Sequence, residues 1–341
     1  METAIVRGYN LVPLPPARII PFMRFHFLSS YFFRFVHVGM YYAYMMASVW
    51  RQPSRHSDPR NPSMIYNDSA ATPQINKQPL LTISIVTFNP DFDELKKTLG
   101  SLKSALKTFA PDTFSITIVD NSFSNEVAPF LQYSFPELPV KLIQGQGNIG
   151  FGRAHNIAMQ QMGEFHLILN PDIQLSPDAI TNALAFMRTK ENCGLLSPLA
   201  VWPNGQRQYL CKRYPAAVDL IIRGFAPNII RSFFSTRLAQ YEMQAETQSE
   251  VFWNPPIVSG CFMFFRSTIL EKIGGFSDSF FLYFEDFDLS LRSRIIADTA
   301  YVPTVRVIHA GGHASKKGLW HIKVFIQSAM TFYRSHGFKL F

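Results

Sequence analysis

From Leu80 onward the chain alternates short apolar runs with amphipathic stretches, and this alternation constrains the fold more than any other feature. The runs Leu81–Phe88, Ser115–Val119, Val140–Ile143 and Phe165–Leu169 are rich in Ile, Val, Leu and Thr and read as strands. Between them, Phe92–Phe109 and Arg153–Met162 repeat apolar residues at helical spacing. Ser176-Pro177-Asp178 opens a further helix, with Ser at the N-cap and Pro at the first helical position. Val258–Phe265 reads as a strand, Ser267–Ile273 as a short helix stopped by Gly274-Gly275, and Asp286–Ile296 as a helix. Ala300–Ile308 is again a strand, and Leu319–His336 is a terminal helix with an apolar face. Such a pattern calls for an α/β fold, with a mostly parallel central sheet flanked by helices.

The composition supports a sizeable core. Of 341 residues, 47% are apolar and 16% charged, which excludes a disordered chain. The net charge of +8 favours anionic partners: nucleotide phosphates, lipid headgroups or nucleic acid. No Lys/Arg-dense run or RNA-binding signature is present, so nucleic acid is not expected. Cys193, Cys211 and Cys261 are odd in number, widely spaced and without zinc spacing. They fit a reducing compartment and small apolar core positions.

Three segments follow from the punctuation. Residues 1–51 form an aromatic, basic N-terminal extension without the pattern of a secretory signal. Within it, Ile19–Trp50 carries Arg24, His26, Arg34 and His37, and the uncharged run Phe35–Trp50 is shorter than the ~20 residues of a spanning helix. Two readings stand side by side, a helix lying in a membrane interface or a helical pair packed on the main domain, with a transmembrane span third. Residues 52–79 are a Pro-rich linker, with Pro53, Pro59, Pro62, Pro73 and Pro79. Residues 80–341 form the main domain, including the terminal helix. Its middle, Leu195–Glu250, is irregular, and Ala217–Phe234 within it is amphipathic and basic.

In open α/β sheets, ligands bind beyond the carboxyl ends of the strands. Asn89, Asp120, the turn Gly145-Gln-Gly-Asn148-Ile-Gly150-Phe151-Gly152 and Asp172 all fall just after strand ends. Asp120 either accepts the N3–H of a pyrimidine base or closes an Asx-turn. The glycine turn permits close backbone approach, and the helix after it offers free N–H groups to an anion. Arg153 and Asn156 on that helix are within reach of a diphosphate or sugar, though Arg153 reads equally as a surface charge. Asp172, with Asn170 beside it, suits a divalent cation that prefers oxygen ligands. Phe280–Arg292 sets Glu285, Asp286 and Asp288 among aromatic residues. Asp288 and Arg292 are four apart, as in a helix-surface ion pair. Asp286 is either a helix cap or a general base, and Glu285 joins it as a catalytic candidate. His309 follows a strand and precedes glycines, as a metal or phosphate ligand would; His313 is a weaker candidate.

Taken together, Ile83–Asn89 with Thr87, Ile118–Ser122, Asn148–Gly152 with Asn156, Leu169–Asp172, Val258–Gly260 with Arg266, Ile273–Phe276, Phe281–Leu289 and His309 resemble a family 2 glycosyltransferase of the GT-A fold. The rhamnosyltransferase-like bacterial subgroup is the nearest in pattern. The resemblance runs from about Leu80 to the C-terminus. It implies inverting transfer from a dTDP- or UDP-linked sugar to a lipid-linked saccharide acceptor, with a role in O-antigen or capsule synthesis. It also implies a divalent cation, Mg²⁺ or Mn²⁺, and a place at the inner face of the cytoplasmic membrane. Thr87, Asn89, Asp120, Asn148, Gly150, Phe151, Gly152, Arg153, Asn156, Asn170, Asp172 and Gly260 would face the donor. Asp172 and His309 would hold the metal, and Asp286 would be the base. Two departures stand out: Asn170-Pro171-Asp172 has one carboxylate where the family pattern has two, and Phe123 replaces a small residue. The alternatives are a degenerate sugar-nucleotide-binding module without turnover and a nucleotidyltransferase. The latter calls for a Lys-rich glycine loop near the first strand, and Asn89-Pro90-Asp91 stands there instead.

Overall fold

The computed structural model describes residues 78–311 and 318–341. The N-terminal extension, the linker up to residue 77 and His313 lie outside the described residues.

The main domain opens with β1 (Leu81–Thr87), α1 (Phe92–Ala105), β2 (Phe114–Asp120), α2 (Val127–Ser134), β3 (Val140–Gln144), α3 (Phe151–Ala158), β4 (Phe165–Leu169) and β5 (Ile173–Leu175). It continues with α4 (Ala179–Thr189), β6 (Cys193–Val201), β7 (Arg207–Gln208), β8 (Cys211–Lys212), α5 (Ala217–Phe225), α6 (Asn228–Phe233) and α7 (Ser235–Tyr241). The last elements are β9 (Phe252–Trp253), β10 (Ile257–Val258), β11 (Phe262–Arg266), α8 (Ser267–Ile273), α9 (Glu285–Ser293), β12 (Asp298–His309) and α10 (Leu319–His336).

The central sheet runs β3-β2-β1-β4-β11-β6-β12-β5. Its first four strands are parallel, as the strand–helix alternation requires. Every residue of β1 is buried, the mark of a strand covered on both faces. Beyond β4 the sheet is mixed rather than mostly parallel. β11 enters from the carboxyl edge and runs antiparallel to β4 and β6, with Phe262 opposite Leu169. This return brings Gly260 and Cys261 to the edge where β1, β2 and β4 end. Alternate side chains pack on opposite faces: Leu167 and Leu169 against α1 and α4, Ile168 with Leu270 of α8 and Leu289 of α9.

Several elements differ from the sequence reading. Val258–Phe265 is two strands, because the chain breaks at Ser259-Gly260-Cys261; β10 pairs with β8 in a separate two-stranded sheet. α4 starts at Ala179 with Asp178 at its N-cap, since Ser176 is already tied to β12 through its amide and Arg306 O (3.1 Å). α3 starts two residues before Arg153, because Gly150 at φ 95° forms its cap. Ala217–Phe234 splits at Ala226-Pro227 into α5 and α6. Among the described residues no helix is long and apolar enough to cross a membrane.

Candidate active site

The side chains singled out in the sequence gather along the carboxyl edge of the parallel strands. At the ends of β1 and β2, Thr87 lies opposite Asp120. Asp120 is fully buried, and its Oδ1 accepts from Thr87 Oγ1 (2.9 Å), Ser122 Oγ (2.6 Å) and the Ser122 amide (3.2 Å). Its Oδ2 has no hydrogen-bond partner. A buried carboxylate oxygen without a donor is costly, so it calls for a ligand N–H or O–H. The Asx-turn and the ligand-facing reading are therefore compatible, one on each oxygen. Asn89, at φ 46°, fixes the end of β1 through its amide and Ser122 Oγ (2.7 Å). Gln146 donates to Asp120 O (2.8 Å) and leaves its own Oε1 buried and unpartnered. Phe123 is exposed near Gly147.

The glycine turn connects this end to the acidic segment. Asn148 Oδ1 accepts from the Gly150 amide (3.2 Å), and Asn121 donates to Gly150 O (3.1 Å). The Phe151 amide donates to Phe281 O (3.1 Å). A side chain on Gly152 would meet the Phe276 ring. Asn156 departs from the expectation of donor contact, because both its polar atoms bond the backbone of Phe276, at 2.8 and 2.9 Å. Arg153 is about half exposed and bonds Asp278. Both therefore brace the 276–281 segment. Inside the fold, His155 of α3 meets Ser84 Oγ at 2.7 Å, which fixes the helix on β1.

Beyond β4, the Asn170 amide donates to Cys261 O (2.9 Å), while Asn170 Oδ1 is buried without a partner. Asp172 Oδ1 is also buried and unpartnered, and Asp172 Oδ2 is 3.4 Å from His309 Nε2. His309 Nδ1 meets Gln208 Oε1 at 2.8 Å, and its ring stacks on Trp202. Burial opposes a charge on His309, but the Cys261 sulfur and the Asp172 carboxylate outweigh it and push its pKa up to about 10. The environment that holds a proton here also suits a cation. Among the described residues no three His, Cys, Asp or Glu side chains cluster as a metal cage. Asp172 and His309, with orphaned oxygens beside them, fit a cation that takes its remaining ligands from substrate phosphates.

Asp286 opens α9. Its Oδ2 accepts from the Gly260 amide (2.8 Å) and its Oδ1 from the Phe287 amide (3.0 Å). Burial raises its pKa, against these hydrogen bonds. Glu285 is buried, with Oε2 unpartnered; burial first, and the Asp286 charge second, raise its pKa to about 8. The two residues before it, Tyr283 and Phe284, both have left-handed backbones, at φ 70° and 65°. Such strain persists only where packing enforces it. Phe284 is held in an aromatic cluster with Phe287, Phe325 and Phe332. Asp288 pairs with Arg292 as its spacing requires, and also with His336 at 2.8 Å. Arg266 sits at the opposite edge of the sheet, bonded to Met187 O.

Ser122, Gln146, Gln208 and Trp202 belong to the site but were not singled out from sequence. The two-residue spacing from Asp120 could have flagged Ser122. Gln208 and Trp202 reach His309 only through the tertiary fold.

An α/β sheet with buried carboxylates at its carboxyl edge, beside a glycine turn and a strand returning antiparallel, is the architecture of the GT-A fold. The family model described as Glycosyl transferase family 2 matches residues 82–274, and the chain belongs to that family. It is 26% identical over 253 residues to the N-acetylglucosaminyl-diphospho-decaprenol L-rhamnosyltransferase of Mycobacterium tuberculosis, covering 69% of this chain and 78% of that one. It is also 26% identical over 194 residues to the rhamnosyltransferase WbbL of Escherichia coli, covering 52% and 69%. Among solved structures, GalNAc-T7 with UDP, GalNAc and Mn²⁺ shares the fold with a TM-score of 0.50 at 15% identity, over 76% of this chain and 51% of that one.

Proposed function

We propose that the chain is an inverting glycosyltransferase. It would move a sugar, with L-rhamnose the leading candidate, from a dTDP- or UDP-linked donor to a hydroxyl of a lipid-linked saccharide. The acceptor class and the sugar follow the M. tuberculosis relative, whose name specifies both. The product would be a surface polysaccharide such as O-antigen or capsule, assembled at the inner face of the cytoplasmic membrane.

The observation that carries this reading is the placement of Asp286. Both its oxygens are fixed by backbone N–H groups, and burial raises its proton affinity. A fixed carboxylate with a raised pKa suits removal of a proton from an attacking hydroxyl near neutral pH. At the other end, the free Oδ2 of Asp120 would accept the N3–H of uracil or thymine. The start of α3 would face the diphosphate with the N–H groups that follow Phe151, whose own amide is bonded to Phe281 O. Asp172 and His309 would hold a divalent cation, which when bound neutralises charge on the departing nucleotide diphosphate. Glu285, protonated beside Asp286, would keep a second negative charge out of the site.

The test is release of nucleotide diphosphate from a panel of nucleotide sugars, with Mg²⁺ or Mn²⁺ and lipid-linked acceptors. Turnover of one donor, lost in Asp286→Asn and Asp172→Ala, supports the reading. Donor binding without turnover under all these conditions would return the chain to a sugar-nucleotide-binding module.

A further inference from the structure

Helix α6 buries none of its residues. Ile229 is 74% exposed and Phe233 82%, and Ile230, Phe234 and Ile221 of α5 are exposed as well. A helix of this length draws its stability from packing, and these side chains lack it. Contiguous exposure of large apolar side chains marks an interaction site. The C-terminal tail extends the surface. Lys339 O and Leu340 O accept from the amides of Ala217 and Val218, at 2.8 and 3.3 Å. The exposed Phe338 and Leu340 therefore lie beside the first turn of α5.

The charge left unpaired on this surface is positive. No Asp or Glu occurs between Leu220 and Tyr241, where Arg223, Arg231 and Arg237 stand, and none occurs from Thr299 to Phe341. Asp219, the nearest acid before them, is buried and paired with Arg237. Arg223 is paired with Glu242 from α7's far end (3.0 Å). Arg231 is exposed in the middle of the apolar run.

We propose that α5, α6 and the C-terminal tail form a docking surface for an anionic lipid bilayer. Exposed apolar residues interleaved with cations, with the acids Asp219 and Glu242 already paired, are the chemistry of an interfacial segment. Charge complementarity selects this occupant. A second copy would bring cations against cations. The chain's own Ile19–Trp50 carries Arg24 and Arg34 and no acid, so it has the same sign. The position is also apt. His336, at the end of α10, bonds Asp288 of α9, the helix that begins with Glu285 and Asp286. The docking surface is thus tied to the element bearing the proposed base, where a lipid-linked acceptor would present its hydroxyl. The purpose of the surface rests on the lipid-linked acceptor reading; the surface itself does not.

The test is flotation of the full chain with vesicles of phosphatidylglycerol and phosphatidylcholine, against phosphatidylcholine alone. Wild type should bind the anionic vesicles, less so in high salt. Ile229→Ser with Phe233→Ser should lower partitioning at least tenfold, with unfolding temperature unchanged because both side chains are exposed. Arg231→Glu should do the same. Cys193, Cys211 and Cys261 are buried, so a polarity-sensitive label can be placed on Phe233→Cys or, as control, on Tyr133→Cys. The label at 233 should enter an apolar environment on vesicles, while that at 133 stays in water. Unchanged partitioning of the double variant, or a label at 233 that stays in water, overturns the proposal. So does loss of self-association in the double variant with vesicle binding intact. Donor turnover in solution is followed in parallel: its absence in wild type would count against the transferase reading and leave the vesicle result standing.

Discussion

The backbone amide of Gly260 donates to Oδ2 of Asp286 at 2.8 Å, and a Cβ built on Gly260 would stand 3.0 Å from Asp286 Cβ. The absence of a side chain at 260 is what lets the carboxylate sit against the backbone. Gly260→Ala should push Asp286 by a few tenths of an ångström. A misplacement of 1 Å costs about a hundredfold in rate, so the variant should lose roughly tenfold in kcat. Donor KM should hold, because the nucleotide end is untouched. Steady-state kinetics with the true donor separate the two constants.

Asp286→Asn removes the proposed base while keeping a group that fits the same space. The expected loss is about 10²- to 10⁴-fold in kcat, the usual contribution of a general base. Donor affinity, measured by calorimetry, should change little. A loss confined to affinity would assign Asp286 to binding.

Glu285 gives the fold a pH dependence of definite sign. Its pKa is raised from 4.5 to about 8 by burial and by Asp286. Below 4.5 the folded and unfolded chains both hold the proton, and burial of the neutral acid is tolerated. As pH rises from 4.5 to about 8, the unfolded chain gives up the proton first, so stability falls across that window. Glu285→Gln should flatten this slope, and its advantage over wild type should grow with pH. Denaturant midpoints between pH 5 and 8 test it; parallel curves would show that Glu285 is not held protonated.

Asp120→Asn places an amide where Oδ2 now has no partner. An amide N–H against the N3–H of a pyrimidine base sets donor against donor, and one lost charged hydrogen bond is worth about 1.5–3 kcal/mol. The donor KM should rise roughly 10- to 100-fold, with a smaller effect on kcat. Product inhibition by the free nucleotide diphosphate should weaken in step, which distinguishes a role at the base from one at the sugar.

The parallel half of the sheet was legible because β1, β2 and β4 are apolar runs with abrupt polar ends, and the chain order fixes their neighbours. Asp120, Asp172 and Asp286 were legible for the same reason, since each follows a strand or starts a helix. The mixed half was not. The entry of β11 between β4 and β6 depends on Phe262 meeting Leu169, a contact 93 positions apart by the numbering. Nor could spacing reveal that Asn156 spends its amide on Phe276, because Asn beside a glycine turn reads equally well as a ligand contact. The left-handed pair Tyr283-Phe284 was hidden too: aromatic residues ordinarily avoid that conformation, and here Tyr283 packs on Phe325 and Phe284 on Phe325 and Phe332.

Gly150 joins the two ends of the site, and two substitutions can weigh that junction. Its φ of 95° disfavours any side chain, and a Cβ there would collide with Phe281 O, the acceptor of the Phe151 amide. Gly145 has a similar φ of 94° with open space around it. Gly145→Ala should therefore carry only the backbone cost of about 1–2 kcal/mol. Gly150→Ala should carry that cost and also break the link from the glycine turn to the segment ending in Asp286. The expected result is a larger fall in unfolding temperature, together with a higher donor KM and a lower kcat. Because this contact joins the first residue of α3 to the segment leading to Asp286, both constants should move in Gly150→Ala and neither beyond about twofold in Gly145→Ala. Equal kinetics in the two variants would mean that the donor end and the base are positioned independently.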